Sequence, residues 1–448
     1  MGKYLVFGLG RSGISAAEML LENGQEVVLY DGKNIDTVSF RTEHQKLAEV
    51  PVYCCELPEG ELPNLTAAVL SPGVPLDSPD VMKLKNANVP LSGELEIAYV
   101  FGKGNIGAIT GTNGKTTTTS LLGKMLDDFY NDARTVGNIG IPYTREVSTS
   151  TVDTYFAIEV SSFQLETIDT FHPKASAILN ITEDHLNRHH TMENYIAAKE
   201  SIVRNQTKKD TVVLNYDDPV LKEFGKTLET KVVYFSSSEE LKQGLFLRGD
   251  DIIERKGDEE TVIINTGDLQ ILGTHNFENV MAAVAMGEAL GVSLDSIRGT
   301  LRRFTAVEHR IEYVCSKRGV AFYNDSKGTN PDAAIKAVLA MGRPTVLIGG
   351  GFDKGSTYDE WVLTFPGRVK KLVLIGETAQ TIAKCCDKHG FTNYEMATTL
   401  EGAVLMSYSA ARTGDAVLLS PACASWDMFA DYEERGREFK KLAKDLPE

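Results

Sequence analysis

The segment Gly111-Thr112-Asn113-Gly114-Lys115-Thr116-Thr117 restricts this chain more than any other. It follows the apolar run Asn105–Thr110 and opens a stretch of helical periodicity from Thr118 to Leu126. Small residues between a strand and a helix let backbone N–H groups close on phosphate oxygens. In such a loop Lys115 reaches the β- and γ-phosphates and the Thr116 hydroxyl can ligate Mg2+. The loop departs from the standard GxxxxGK[ST] form in carrying Ile109 where a glycine is expected. It implies a soluble enzyme that consumes a nucleoside triphosphate.

Short apolar, β-rich runs alternate with helical stretches along the whole chain, which predicts an α/β protein with mostly parallel sheets. At 448 residues the chain is too long for one hydrophobic core. Three units are expected. The first, 1–94, has strands at 3–7, 26–30 and 67–70. The second, 95–305, has strands near 105–110, 155–160, 176–180 and 211–215, with charged strands and turns over 231–272 that suggest an antiparallel flap. The third, 306–448, has strands near 320–323, 345–349, 371–375 and 416–419.

The formal net charge of −16 argues against nucleic acid or an anionic membrane as partner, because both need basic faces. Anionic ligands must instead be held by helix N-termini, a few lysines and divalent metal. No apolar run approaches the roughly 18–20 residues that span a bilayer. The apolar start of the chain runs into Gly8-Leu9-Gly10, not into a cleavage site, so it reads as a buried strand. Six cysteines, four of them in the adjacent pairs Cys54-Cys55 and Cys385-Cys386, fit neither a disulfide framework nor a zinc site. Reduced thiols in the cytoplasm are expected. His185, His189 and His190 have no cysteine partners that would suggest zinc.

The unusual motifs begin where predicted strands end, which is where open α/β sheets bind ligands. Gly8-Leu9-Gly10-Arg11-Ser12-Gly13 fits GxGxxG, with Asp31 closing the next strand. That pattern certifies a tight turn with a helix N-terminus facing a diphosphate, which either NAD or a UDP-linked substrate satisfies. Glu159 and His185 each follow a strand of the second unit and could complete metal coordination at the γ-phosphate; a turn cap and a surface histidine are the plainer readings. Lys199 reads as a solvated helical lysine on pattern alone, and Asn276 and Asn279 as helix caps. In the third unit Arg310 could meet phosphate bidentately. Asp325, Lys327, Thr329, Lys354 and Ser425 gather at strand ends, either as loop polarity or as a crevice for a small dicarboxylate or amino acid.

Together these residues resemble the Mur ligase family, ATP-dependent ligases that build the peptidoglycan stem peptide. The marks are GTNGKT at 111–116, Gly137-Asn138-Ile139-Gly140, Glu159 in EVSS, TEDH at 182–185, Lys199, HNxxN at 275–279, His309-Arg310 and NDSKGTN at 324–330. Within the family the chain looks most like the branch that adds D-glutamate to UDP-N-acetylmuramoyl-L-alanine. GLGRSG, SSFQLE at 161–166 and SPACASWD at 420–427 point there. Folylpolyglutamate synthase shares the loop type but lacks the N-terminal UDP-binding domain.

The resemblance implies an N-terminal Rossmann-like UDP-binding domain, a central P-loop ATPase-like domain and a C-terminal Rossmann-like, amino-acid-binding domain. It implies an acyl-phosphate mechanism, ATP with two Mg2+, a carbamylated Lys199, small-molecule substrates only, and a monomer. Gly10, Arg11, Ser12, Asp31, Gly32, Lys33 and Ser71 would contact the UDP moiety, with Asn138 and His185 at the muramoyl end. Gly111, Thr112, Asn113, Gly114, Lys115, Thr116, Thr117 and Thr118 would hold the ATP phosphates, with Asn276 and Asn279 near the adenine. Thr116, Glu159, His185 and Lys199 would hold metal. Arg310, Asp325 and Lys327 would close over ATP, and Thr329, Lys354, Ser425 and Tyr432 would bind D-glutamate. Three positions depart from the family pattern: Tyr432 replaces Phe, and Gly32-Lys33 replaces Thr-Arg.

Overall fold

Buried apolar runs form the interior strands of three sheets. The computed structural model describes residues 2–305 and 308–447. Strands β1 (Lys3–Phe7), β2 (Glu26–Asp31), β3 (Val52–Cys54), β4 (Ala67–Leu70) and β5 (Leu91–Gly93) form a parallel sheet in the order β3-β2-β1-β4-β5. The order reverses between β1 and β4, so the loops after them part and leave a crevice at their carboxyl ends.

The second sheet contains β6 (Asn105–Thr110), β7 (Ala133–Gly137), β8 (Tyr155–Glu159), β9 (Ala175–Ile178) and β10 (Thr211–Asn215). It continues with β11 (Lys231–Ser236), β12 (Gly244–Arg248), β13 (Asp251–Lys256) and β14 (Glu259–Asn265). Their order is β14-β13-β12-β11-β10-β9-β6-β8-β7. The expected antiparallel flap over 231–272 is smaller than its charge pattern suggested. β11 and β12 extend the parallel ladder from β10, and the antiparallel part is confined to β12 with β13 and β13 with β14. The helix after β6 begins at Lys115, ahead of the expected Thr118, because Gly114 in the left-handed region turns the chain directly into it.

The third sheet contains β15 (Glu312–Lys317), β16 (Val320–Asn324), β17 (Thr345–Gly349), β18 (Val369–Leu374), β19 (Tyr394–Met396) and β20 (Ala416–Leu419), in the order β15-β16-β20-β17-β18-β19. All its pairs are parallel except β15 with β16. Along β17, Leu347 packs against Trp361 and Phe365 on one face, while Val346 and Ile348 join Phe322 and Phe439 on the other. A strand covered on both faces reads as a continuous apolar run, which is why it was visible in the sequence.

The chain divides into two compact units. One holds the first two sheets, runs to Asn265 and takes in Glu278–Leu301; the other comprises Thr266–Phe277 and the chain from Arg302 onward. Within the first unit the two sheets share a core that includes Leu20, Leu95 and Val147. A buried link ties them as well: Glu94 Oε1 accepts from the Thr144 N–H and hydroxyl at 2.8 and 2.9 Å, and the Thr144 hydroxyl meets Ser15 Oγ at 2.9 Å.

Candidate active site

The GxGxxG turn sits at the carboxyl end of β1, with Gly10 as the N-cap of the helix Arg11–Glu22. A Cβ on Gly13 would lie 1.9 Å from the Gly8 carbonyl oxygen, so only glycine lets this helix approach the strand so closely. Ser71 Oγ, after the neighbouring β4, donates to the same Gly8 oxygen at 2.6 Å. Asp31 is occupied with shaping the turn: Oδ2 accepts from Leu9 N and Oδ1 from Lys33 N, each at 2.9 Å. Gly10, Arg11, Ser12, Asp31, Gly32, Lys33 and Ser71 line one cavity of about 650 Å3. Its far wall is made by Gly137, Asn138, Gly140, Pro142 and Gln164 of the second sheet's layer. The cavity therefore reaches from a diphosphate-type helix N-terminus to the edge of the P-loop domain.

In the second sheet β9, β6, β8 and β7 are consecutive and parallel, so the loops after all four emerge together. This topology gathers Gly111–Thr117, Glu159, Asn180–His185 and Asn138, far apart in sequence, at one edge. Gly114 has φ +85°, and a Cβ there would sit 2.3 Å from Asn279 Oδ1. Asn279 also accepts from the Thr118 hydroxyl at 3.2 Å, which places its amide against the start of the P-loop helix. Asn113 and Asn180 clasp each other across the loop, N to Oδ1 at 2.8 Å and Nδ2 to O at 3.1 Å. Sequence reasoning missed this clasp, and nothing local in the chain signals it. Lys115 Nζ lies 2.8 Å from the Gly111 and Thr112 carbonyls, and Thr116 is buried in the first turn.

Glu159 is buried at the end of β8. Its Oε1 accepts from Asn138 Nδ2 at 2.8 Å, and its Oε2 is buried with no hydrogen-bond partner. A buried carboxylate oxygen left unmet is costly, and a hard cation would satisfy it. Lys199, on the helix Met192–Glu200, is 1% exposed, contrary to the solvated reading of its pattern. Its Nζ donates to the Gly111 carbonyl at 2.7 Å and lies over the Tyr195 ring. Burial, aided by the nearby Lys115 charge, holds its pKa well below the ordinary lysine value. His185 is half exposed in the left-handed region with φ +55°, its ring edge-on to Phe163 at 4.9 Å.

The other unit carries the remaining candidates. Asn276 is buried and donates to the Leu272 carbonyl at 2.7 Å. β16, β20 and β17 are adjacent and parallel, so the loops after them converge. Asp325 is buried, accepting from Ser420 Oγ at 2.7 Å and from Ile311 N at 3.3 Å. Burial pushes its carboxyl up to about 7, partly opposed by the Ser420 hydrogen bond and by Arg310. Arg310 Nε is buried with no hydrogen-bond partner. Lys327 Nζ lies over the Tyr432 ring at 5.3 Å, and Lys354 Nζ over the Trp426 ring at 4.9 Å, next to buried Ser425. Thr329 follows in the same loop as Lys327, whose carbonyl takes the Thr329 N–H at 2.9 Å.

Arg435 binds these loops together and was not foreseen. It is 1% exposed and donates to Ser326 Oγ and O and to the Cys423 and Ala424 carbonyls at 2.8–3.3 Å.

The geometry now has relatives to stand beside. Residues 2–93 fit the profile of the Mur ligase MurD-like N-terminal domain, 109–287 that of the Mur ligase middle domain, and 309–423 that of the Mur ligase glutamate ligase domain. The chain is 50% identical over 445 residues to the UDP-N-acetylmuramoylalanine–D-glutamate ligase of Lachnoclostridium phytofermentans, covering 98% of this chain and 97% of the relative. It is likewise 50% identical over 444 residues to the same-named ligase of Lachnospira eligens, covering 99% and 98%. Among solved structures, the MurF ligase of Thermotoga maritima in complex with ADP superposes with a TM-score of 0.61 at 16% identity, over 94% of this chain and 95% of that one. The UDP-N-acetylmuramate–alanine ligase of the same organism gives 0.60 at 18% identity over 99% of each. Those two likenesses establish the fold.

Proposed function

This chain belongs to the Mur ligase family, and from that premise we infer that it is the ATP-dependent ligase that adds D-glutamate to UDP-N-acetylmuramoyl-L-alanine in peptidoglycan synthesis. One observation carries the reading at the level of the site. Asn138 lines the UDP-type cavity and hydrogen-bonds Glu159, whose other oxygen is buried and unmet at the P-loop edge. A substrate held by its diphosphate on Gly10–Ser12 and extending along this cavity presents its far end to the γ-phosphate.

A carboxylate does not acylate an amine at neutral pH. The γ-phosphoryl of ATP therefore passes to the L-alanyl carboxylate, giving ADP and an acyl phosphate. The D-glutamate amine attacks that carbonyl, and the tetrahedral intermediate collapses to amide and phosphate. Such chemistry depends mostly on positioning and charge neutralisation.

Lys115 and the loop N–H groups of Gly111–Thr118 hold the ATP phosphates. Thr116, Glu159, His185 and Lys199 are the residues that would hold two Mg2+, and the unmet Glu159 oxygen fits that role. Bound Mg2+ supplies neutralisation of phosphate charge. Lys199 would serve as its carbamate, which needs a neutral amine, and its burial favours one. Asn138 and His185 orient the muramoyl end. In the unit that holds the third sheet, Asn276, Arg310, Asp325 and Lys327 are assigned to the nucleotide, and Thr329, Lys354, Ser425 and Tyr432 to D-glutamate. Asn279 is likewise assigned to the nucleotide, near the adenine, and its contact with Thr118 at the start of the P-loop helix is compatible with that role.

We set the domains at 1–94, 95–305 and 306–448, limits that contain the three family profiles. Among the described residues no helix is long and apolar enough to cross a membrane. We place the reaction in the cytoplasm, carried out by a monomer on small-molecule substrates without nucleic acid or membrane. Phosphate release with UDP-N-acetylmuramoyl-L-alanine and a panel of D- and L-amino acids tests the whole assignment. Stimulation by D-glutamate alone is expected; protection by NAD(H) without ADP release would overturn it.

A further inference from the structure

We propose that Arg188 is a positioning residue that couples the UDP-substrate cavity to His185; this rests on the reading of that cavity and of His185 given above. Arg188 lies in the one-turn helix Leu186–His189, which begins immediately after His185, and its side chain is 11% exposed. The guanidinium makes three kinds of contact at once. Nη2 and Nε donate to Glu166 Oε2 at 2.7 and 3.2 Å. Nη2 also donates to the Val74 carbonyl at 2.8 Å, and Cζ lies over the Phe163 ring at 5.1 Å.

Two of these contacts lead into the site. Val74 lines the 650 Å3 cavity and closes the turn at Ser71, its N–H donating to the Ser71 carbonyl at 2.9 Å. Ser71 in turn pins the GxGxxG loop through Gly8. On the other side, the Phe163 ring that Arg188 covers is the one that meets the His185 imidazole edge-on. His185 is a half-exposed side chain on a left-handed backbone, so packing on Phe163 bears on where its ring points. Arg188 thus clamps a loop of the cavity with one edge and the support of His185 with its face. A planar guanidinium offers an N–H edge to the carboxylate and carbonyl and a face to the ring, whereas a lysine ammonium is a single point charge that fits this set less well.

The plainer alternative is a structural ion pair holding the helix Ser162–Leu165 to the helix Leu186–His189. That pair would contribute to stability, yet it needs no contact with the Val74 carbonyl. It also predicts that whatever protein folds without Arg188 binds its substrates normally.

Titration calorimetry with UDP-N-acetylmuramoyl-L-alanine and steady-state kinetics in each substrate separate the two readings. For Arg188→Ala, Kd and KM for the UDP substrate should rise about tenfold or more, as expected for losing a charge-assisted hydrogen bond. The KM for ATP should change less than that for the UDP substrate, since Arg188 reaches the nucleotide only indirectly, through Phe163 and the metal that His185 would hold. Arg188→Lys should show the same split in smaller measure. Equal UDP-substrate affinity in wild type and Arg188→Ala would overturn the proposal, whatever happens to kcat or Tm. If Arg188→Ala does not fold, Arg188→Lys decides, and unchanged affinity there overturns it. If the wild-type protein itself does not bind the UDP substrate, the reading of the cavity falls and the coupling falls with it.

Discussion

Replacing Glu159 by glutamine should make the protein more stable and nearly inactive. Glu159 is 3% exposed, its Oε1 takes the Asn138 amide at 2.8 Å, and its Oε2 is buried with no hydrogen-bond partner. An unmet buried polar group costs about 1–3 kcal/mol, and more when charged. Glutamine keeps the shape and the acceptor for Asn138 but exchanges a charged orphan for a neutral one. Relief of about 1 kcal/mol is the conservative expectation. In a domain of roughly 200 residues that corresponds to a rise in Tm of about 2–4 °C. Activity should move the other way. Losing a hard oxygen beside developing phosphoryl charge costs about 3–4 kcal/mol of transition-state stabilisation, a hundred- to a thousandfold in kcat. Thermal melts with and without Mg2+, set beside phosphate release, measure both. Wild type should gain stability as Mg2+ is added, and Glu159→Gln should gain much less, because binding to the folded state raises its stability by mass action. A variant that melts below wild type in Mg2+-free buffer, or keeps more than a tenth of wild-type turnover, refutes the argument.

Lys115→Ala should cost about a hundred- to a thousandfold in turnover while leaving UDP-substrate binding intact, because Lys115 is not among the residues lining that cavity; near-normal phosphate release would remove the phosphate role. Lys199→Ala should abolish activity, with partial return on adding acetate, which can supply the oxygens a carbamate would; inactivity without rescue would assign Lys199 to holding the Gly111 carbonyl instead. Asp325→Asn should flatten the pH dependence of stability. Its carboxyl, raised by burial to about 7, binds a proton more tightly folded than unfolded, so the stability it contributes is full at low pH and is lost as pH rises through about 7. Melting at pH 5.5 and pH 8 should therefore differ more in wild type than in Asp325→Asn, and parallel curves would clear Asp325 of that role.

The strands missed in the sequence share a physical cause. β3, β5, β7, β15 and β19 were not foreseen, and each lies at the edge of its sheet. An edge strand is covered on fewer sides, so it is short or carries polar residues, as Val52–Cys54, Glu312–Lys317 and Tyr394–Met396 do. Interior strands such as β10, β16 and β17 are buried at every position, and their apolar runs were plain.

The same division runs through the site. Its chemistry was legible because a phosphate loop or a metal-type acid needs only a few contiguous residues at a strand end, and parallel pairing then brings the ends together. What steadies that chemistry lies elsewhere. Glu166 and Arg188 are separated by 22 positions and Ser326 and Arg435 by 109. Arg435 sits in Glu433-Glu434-Arg435-Gly436-Arg437, which by pattern is a solvated helix face. It is buried because four carbonyl and hydroxyl oxygens from two loops meet it there, and no periodicity in its own helix records their approach. A buried arginine surrounded by oxygens is costly to strip of its partners and hard to replace by lysine, since a single ammonium cannot span so wide a set of acceptors. Reactive groups can therefore be found by motif, whereas the residues that hold them in register have to be found by the contacts they make.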